Sequence, residues 1–387
     1  MIFDEAQNIK NPNALQTVAA KALKGFFRIA LSGTPVENHL GDLWCLMDTV
    51  EPGALGSYRE FRTQWIQPIR RDPARLPEIG DALRGILEPL ILRRTKEGAL
   101  KGLPKKEISR IRIKMSPEQA RLYDEILQGA NASVDGEGET QRANRWLASM
   151  WELRRVSLHP ALLGDATASD AIGFRNSREF LNQSAKLAWL VEELDRIQAK
   201  GEKALIFAIQ KRFQEMLAIH LKEIYGFRIS IINGDTKAVS NKPNETRLGL
   251  IKDFSEAPGF GICILSPIAA GAGLNITAAN HVIHLERHWN PAKEDQATDR
   301  AYRIGQDKDV FVHLPLLEHP SRPITTFDTG LDRLIGLKKN LAGSLGLIPV
   351  ESVKVDELFD SVIKGAVSDA PGDPVYLTVD KACVRCN

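Results

Sequence analysis

Gly261-Ile-Cys-Ile-Leu265-Ser266-Pro-Ile-Ala-Ala270-Gly271-Ala-Gly273-Leu274-Asn275 decides the fold of this chain. The first five residues carry no polar side chain, and a glycine-rich loop follows at once. A strand that is apolar on both faces belongs in a parallel sheet covered by helices on both sides. The same grammar surrounds it. Ala204-Leu-Ile-Phe-Ala-Ile209, Arg228-Ile-Ser-Ile-Ile232, Val282-Ile-His-Leu285 and Val310 to Leu316 read as further strands. Between them, helical periodicity covers about 211–225, 244–255 and Pro291 to Arg303. Ser184 opens a helix carrying Leu187, Leu190, Val191, Leu194 and Ile197, which Gly201 closes. The fold class is therefore α/β. Ligands on such sheets sit beyond the carboxyl ends of the strands.

Upstream, Met1-Ile-Phe3 reads as the end of a buried strand that runs into Asp4-Glu5-Ala6-Gln7. Asn11-Pro12 predicts a helix start, with Leu15, Val18, Ala19 and Ala22 on its period. Phe26 to Leu31 is a short strand stopped by Ser32-Gly33-Thr34-Pro35. From Leu40 to about Leu92 the pattern is helical. The stretch from about 93 to 180 is a helical insert, with basic runs at Arg93-Arg94-Thr-Lys96 and Lys101 to Lys106 and helices over 116–129 and 140–157. One further helix is expected over Leu331 to Leu341, and no internal repeat is visible.

Length fits two or three domains, at 387 residues. A formal net charge of +2 gives no global polyanion signal, so any nucleic-acid contact must come from local patches. No apolar run is long enough to span a membrane, and Asp4-Glu5 argues against a secretory leader. Isolated Cys45 and Cys263 suit a reducing cytosol; Cys383-Val-Arg-Cys386 is a lone pair that reads as chance or an exposed tail.

The chemistry concentrates at two places. In Gln296-Ala-Thr-Asp299-Arg300-Ala-Tyr-Arg303-Ile-Gly305-Gln306, helical spacing would set both guanidiniums on one face, where their forked donors suit phosphate oxygens. The bland alternative is a solvated helix with a glycine cap. Asp4-Glu5 directly after a strand can hold Mg²⁺, usually through water, and position an attacking water; a surface turn would show the same dipeptide.

Taken in order, the motifs resemble the Swi/Snf-type branch of the superfamily-two helicase-like ATPases. Asp4-Glu5-Ala6-Gln7 is similar to its Walker B box, with Gln7 where the family usually has His. Leu31-Ser32-Gly33-Thr34-Pro35 with Asn38 resembles the motif that couples ATP state to DNA. Leu92 to Lys96 and Leu103-Pro104-Lys105 resemble the linker after the first lobe; Met115 to Gln119 with Tyr123, and Leu153-Arg154-Arg155 with His159-Pro160, resemble its helical protrusion. Basic residues there fit DNA phosphates and solvated helix faces equally. Ser184 to Leu187 and Lys203 to Gln210 resemble the opening of the second lobe, and Ser266 to Asn280 its glycine-rich motif, with Ala270 at a usual glycine. His288-Trp289-Asn290-Pro291 matches a further motif, although Arg287-His288 stands where the family usually has an acidic and an aromatic residue.

The resemblance implies two RecA-like lobes: a partial first lobe at 1–95, a helical protrusion at 96–180, a second lobe at 181–318, and a brace helix and tail at 319–387. It implies Glu5, Arg300 and Arg303 as catalytic, the arginines as fingers, and Asp4 as the Mg²⁺ residue. Asp4, Gln7, Gly271, Gly273, Gln296 and Asp299 would meet ATP. Ser32, Gly33, Thr34, Asn38, Asn275, Thr277 and Trp289 would meet double-stranded DNA, although the Trp289 ring also reads as core packing.

No Gly-x4-Gly-Lys-Ser/Thr loop occurs in the sequence. The expectation is a truncated motor, or one half of a split motor, whose P-loop comes from an upstream segment or a separate chain. This chain alone is then inactive. The alternative is a non-enzymatic remnant that binds DNA or protein. The compact insert suggests a bacterial, cytoplasmic, nucleoid-associated setting. Transcription recycling, repair and anti-phage defence stay open.

Overall fold

A computed structural model describes residues 1–33, 40–72, 75–92, 94, 102–132, 138–164, 176–237, 245–270, 273–345, 362 and 377–378. The chain divides into two compact units, the first built mainly from residues 1–101 and the second mainly from 102–333.

In the first unit, β1 (Ile2–Phe3) and β2 (Ile29–Ala30) pair in parallel, Ile2 opposite Ile29 and Phe3 opposite Ala30. The pairing continues past both strands, because the Ala6 amide donates to the Leu31 carbonyl at 2.9 Å. The helix expected from Asn11 begins only at Leu15. Asn11 instead uses its side chain on the Asn13 amide at 3.0 Å, so the Asx turn competes with the cap. The core lies among the helices that follow. Leu43, Cys45, Phe61, Leu83 and Leu87 are fully buried there, with Trp44 and Trp65 at its margin.

The second unit holds a parallel sheet. It contains β3 (Lys106–Lys114), β4 (Lys203–Phe207), β5 (Ser230–Ile232), β6 (Gly261–Leu265), β7 (His281–His284), β8 (Val310–Glu318) and the two-residue β9 (Leu377–Thr378). The order is β5-β6-β4-β7-β8-β3-β9, which puts the apolar β4 and β6 inside. Every residue of both strands is buried, as their composition requires. Helices run over Ala185–Ala199, Lys211–Tyr225 and Arg247–Glu256. Ser184 caps the first of them by accepting the Leu187 amide at 3.3 Å.

Two further elements depart from the sequence reading. Residues 106–114, assigned above to the helical insert and linker, form β3 and pair with β8 over nine positions, Lys106 opposite Val310 through Lys114 opposite Glu318. The helix expected to reach Arg303 stops at Thr298. Arg300 and Ala301 then bond back by three residues, to Ala297 and Thr298, tightening the chain into turns.

Candidate functional site

After β1 the backbone turns sharply at Glu5, whose φ of 48° and ψ of 47° are left-handed. It is the one non-glycine residue with positive φ among the described residues. Such a conformation costs about 1–3 kcal/mol and persists only where the surroundings enforce it. The enforcement is visible. Asp4 Oδ1 accepts the Glu5 amide at 2.9 Å, and the Gln7 side-chain amide donates to Glu5 Oε2 at 2.5 Å. Ser32 Oγ donates to Gln7 Oε1 at 2.7 Å. Gln7 is buried while Asp4 is exposed and Glu5 half-buried, so a buried amide ties an accessible carboxylate to the loop after β2. Ser32 and Gly33 lie at that loop; Thr34 and Asn38 fall outside the described residues.

In the second unit, β6 leads through a short helix, Pro267–Ala270, to a loop described from Gly273 onward, with φ of +69° at Gly273; Gly271 lies outside the described residues. Asn275 is exposed and Thr277 half-buried. This loop and the arginine turn are stitched together. The Ile276 amide donates to the Arg300 carbonyl at 2.9 Å, and Arg300 Nη1 donates to the Leu274 carbonyl at 3.2 Å. Gln306 Nε2 reaches the carbonyls of Thr277, Ala279 and Ala301 at 3.0, 2.9 and 3.2 Å. Gln306 is thus a staple between backbone segments.

The two arginines do not share a helix face. Arg300 is 7% exposed, whereas Arg303 is exposed. Gln296 and Asp299 are half-buried. The Trp289 ring packs edge-on to Phe327, with centroids 6.0 Å apart, and near the Arg154 guanidinium at 5.9 Å.

A buried charge cluster at the carboxyl end of β7 escaped the sequence reading. Glu286 accepts the Ile209 and Gln210 amides at 2.6 and 2.9 Å and pairs with Arg154 at 2.7 Å. Arg154 is 3% exposed, so it is neither a solvated helix charge nor free for DNA. Arg287 forks onto Glu294 at 2.8 and 2.6 Å and also meets Asp332, which Arg110 reaches at 3.2 Å. Burial disfavours the charge on Arg287, but Glu294 and Asp332 outweigh it and hold its pKa above the ordinary value. Lys186, 1% exposed, pairs with Asp328 at 2.5 Å and donates to the Leu285 carbonyl at 3.3 Å. Removing one partner of such a buried pair costs about 3–5 kcal/mol.

No described helix is long and apolar enough to cross a membrane. An SNF2-related domain matches residues 1–162, and a helicase conserved C-terminal domain matches residues 185–305. Zorya protein ZorD of Escherichia coli O139:H28 is 40% identical over 370 residues, covering 95% of this chain and 33% of that protein. The putative ATP-dependent helicase/translocase YwqA of Bacillus subtilis is 38% identical over 313 residues, covering 80% of this chain and 32% of that protein. The chain therefore spans about a third of the length of these curated relatives. The Sulfolobus solfataricus SWI2/SNF2 ATPase core, solved in complex with dsDNA, is 31% identical with a TM-score of 0.50, covering 93% of this chain and 72% of that one. With both domains matched in order, and a solved SWI2/SNF2 core 31% identical over 93% of this chain, the chain belongs to the SNF2 family of helicase-like ATPases.

Proposed function

We propose that this chain supplies the Walker B carboxylates and the arginine fingers of an ATP-driven translocase on double-stranded DNA. The observation that carries the reading is the Glu5–Gln7–Ser32 relay, at 2.5 and 2.7 Å. It joins the carboxylate that would orient the attacking water to the loop that would sense DNA. Asp4 fits a hydrated Mg²⁺, because it is exposed and its Oδ1 already faces inward to the Glu5 amide. That ion would neutralise charge on the outer phosphates. In the second unit, Arg303 is the accessible finger and Arg300 the one built into the glycine-rich loop, with Gly271, Gly273, Gln296 and Asp299 beside the nucleotide. Ser32, Gly33, Thr34, Asn38, Asn275, Thr277 and Trp289 would meet DNA; binding of double-stranded DNA as such is supported by the relative solved with dsDNA. Backbone-directed contacts of this kind are sequence-independent and weaken with salt.

Because the sequence contains no Gly-x4-Gly-Lys-Ser/Thr, we expect a P-loop from an upstream segment or a separate chain. Ile2, Phe27 and Leu31, exposed at 65%, 72% and 48% on and beside the β1–β2 pair, support a further covering segment. The same exposure favours the second reading, a remnant that binds a protein partner. DNA-stimulated ATP hydrolysis separates them. The translocase reading expects none from this chain alone, and turnover once a P-loop-bearing segment is joined to it. Turnover by the chain alone that disappears in Arg300→Ala would overturn the first expectation. DNA binding without turnover by the joined protein would favour the remnant.

A further inference from the structure

One polar cluster takes no part in the proposed site. His281 opens β7, at the end of the sheet away from the loops that follow β6 and β7. His313 lies on β8 opposite Ile283, so it shares a sheet face with His281. The two rings stack at 5.6 Å with an angle of 14° between planes. Glu193, from the helix Ala185–Ala199, covers them. One ligand atom from each of Glu193, His281 and His313 lies within 4.8 Å of the others.

We propose that Glu193, His281 and His313 form a site for a divalent transition metal of the zinc class, oriented by Glu202.

Two features carry this. First, His281 Nδ1 and His313 Nε2 are 3.3 Å apart. Two imidazole nitrogens bound at about 2.0–2.1 Å to a tetrahedral ion must be about 3.3–3.4 Å apart. Second, His281 Nε2 meets Glu202 Oε2 at 2.8 Å. That bond places the proton on Nε2 and leaves the Nδ1 lone pair directed at His313. A carboxylate behind a histidine is the usual support of a metal-bound imidazole. Without metal, His313 Nε2–H points at His281 Nδ1. With metal, that proton moves to Nδ1 of His313 through solvent, and no net charge changes hands.

The surroundings leave room for adjustment. Glu193 has 15% of its side chain exposed, and its Oε2 takes a 2.6 Å bond from Arg196, itself 60% exposed. A small rotation of Glu193 would close its oxygen onto the ion, with Arg196 released to solvent. Lys308 reaches Glu202 Oε1 at 3.6 Å, away from the oxygen facing His281. Water would complete the tetrahedron. The metal would join the helix, β7 and β8, a structural role independent of turnover.

The test uses the full chain after chelator treatment, with Cys383→Ser and Cys386→Ser installed to remove the other ligand pair. Zn²⁺ is titrated against a chromogenic chelator, Co²⁺ binding is followed by its visible d–d bands, and Tm is measured with and without Zn²⁺. The proposal expects one equivalent bound, intense tetrahedral Co²⁺ bands and a raised Tm. His313→Gln and Glu193→Gln should each weaken binding at least about tenfold, and Glu202→Gln about 10–100-fold. Glu193→Gln changes a partly exposed helix residue, so it reports even if a histidine variant fails to fold. Absence of stoichiometric binding in the cysteine-free chain would sink the proposal, as would binding unchanged by Glu193→Gln and His313→Gln.

Discussion

Ser32 donates its hydroxyl proton to the side-chain oxygen of Gln7 at 2.7 Å, across 25 residues of sequence. A buried amide, which can donate and accept at once, is the right group for that position. It takes from Ser32 and gives to Glu5 without a proton that titrates.

Gln7→Leu therefore breaks both links while keeping the volume. In the protein joined to its P-loop, basal ATP hydrolysis should fall less than DNA stimulation, which should drop about tenfold or more. Ser32→Ala should reproduce the loss of stimulation and cost about 1–3 kcal/mol, because the Gln7 oxygen is left buried and unpaired. Steady-state ATPase with and without duplex DNA checks both; equal loss of basal and stimulated rates would show that the relay does not couple.

Glu5 pays for its position with backbone strain. Glycine adopts its conformation freely, so Glu5→Gly should leave the first unit as stable as before or up to about 1 kcal/mol more stable, while abolishing hydrolysis in the joined motor. Denaturant melts paired with ATPase assays give the answer. A loss above about 1 kcal/mol would mean that the carboxylate bond from Gln7 outweighs the strain.

The two candidate fingers should separate in stability. Arg303 is exposed, so Arg303→Ala should change folding stability by less than about 0.5 kcal/mol while lowering ATP turnover of the joined motor by about 10³-fold or more. Arg300 is buried against Leu274, so Arg300→Ala should also lower Tm and loosen the loop from Gly273 to Ala279. Hydrogen exchange of that loop is the direct readout; equal protection in the two variants would contradict the assignment.

His159 should make the second unit acid-sensitive. Its Nδ1 accepts the Ala161 amide at 3.1 Å, which leaves Nε2–H to donate to the Phe180 carbonyl at 2.9 Å. Burial lowers its pKa from 6.5 to about 4, with His220 across the Phe180 ring adding to the effect. A depressed histidine binds its proton more readily in the unfolded chain. Its contribution is whole above pH 6.5 and is lost as pH falls toward 4, by an order of about 3 kcal/mol in all. His159→Gln should flatten the stability curve over that window in urea melts at fixed pH; an unchanged slope would place the acid sensitivity elsewhere.

What could be read from sequence follows from how local each signal is. β6 is apolar throughout and β4 is apolar after Lys203, and their neighbours need not be known to recognise them. β3 is half-exposed and mixes Arg110 and Arg112 with Ile111 and Ile113. That alternation was available, but its basic residues invited a linker reading. The end of the helix at Thr298 was not legible, because the Arg300 carbonyl is claimed by Ile276 from a distant loop. Nor was the Arg287 cluster, whose partner Asp332 lies 45 residues away and is shared with Arg110 from 222 residues away. Asp4, Glu5 and Gln7 were found as types in a row; the left-handed turn that aims them was not.

The pairing of β3 with β8 has a consequence for synthesis. Lys106 must find Val310, 204 residues later in the chain, and the pairing runs on to Glu318. During translation β3 emerges well before its neighbour exists, and its backbone donors and acceptors must wait for a partner. The second unit therefore cannot complete its sheet on the ribosome until β8 has cleared the exit tunnel. A nascent chain arrested before β8 should still carry β3 as an unpaired, protease-sensitive tether, although the helices around β4 can already have formed.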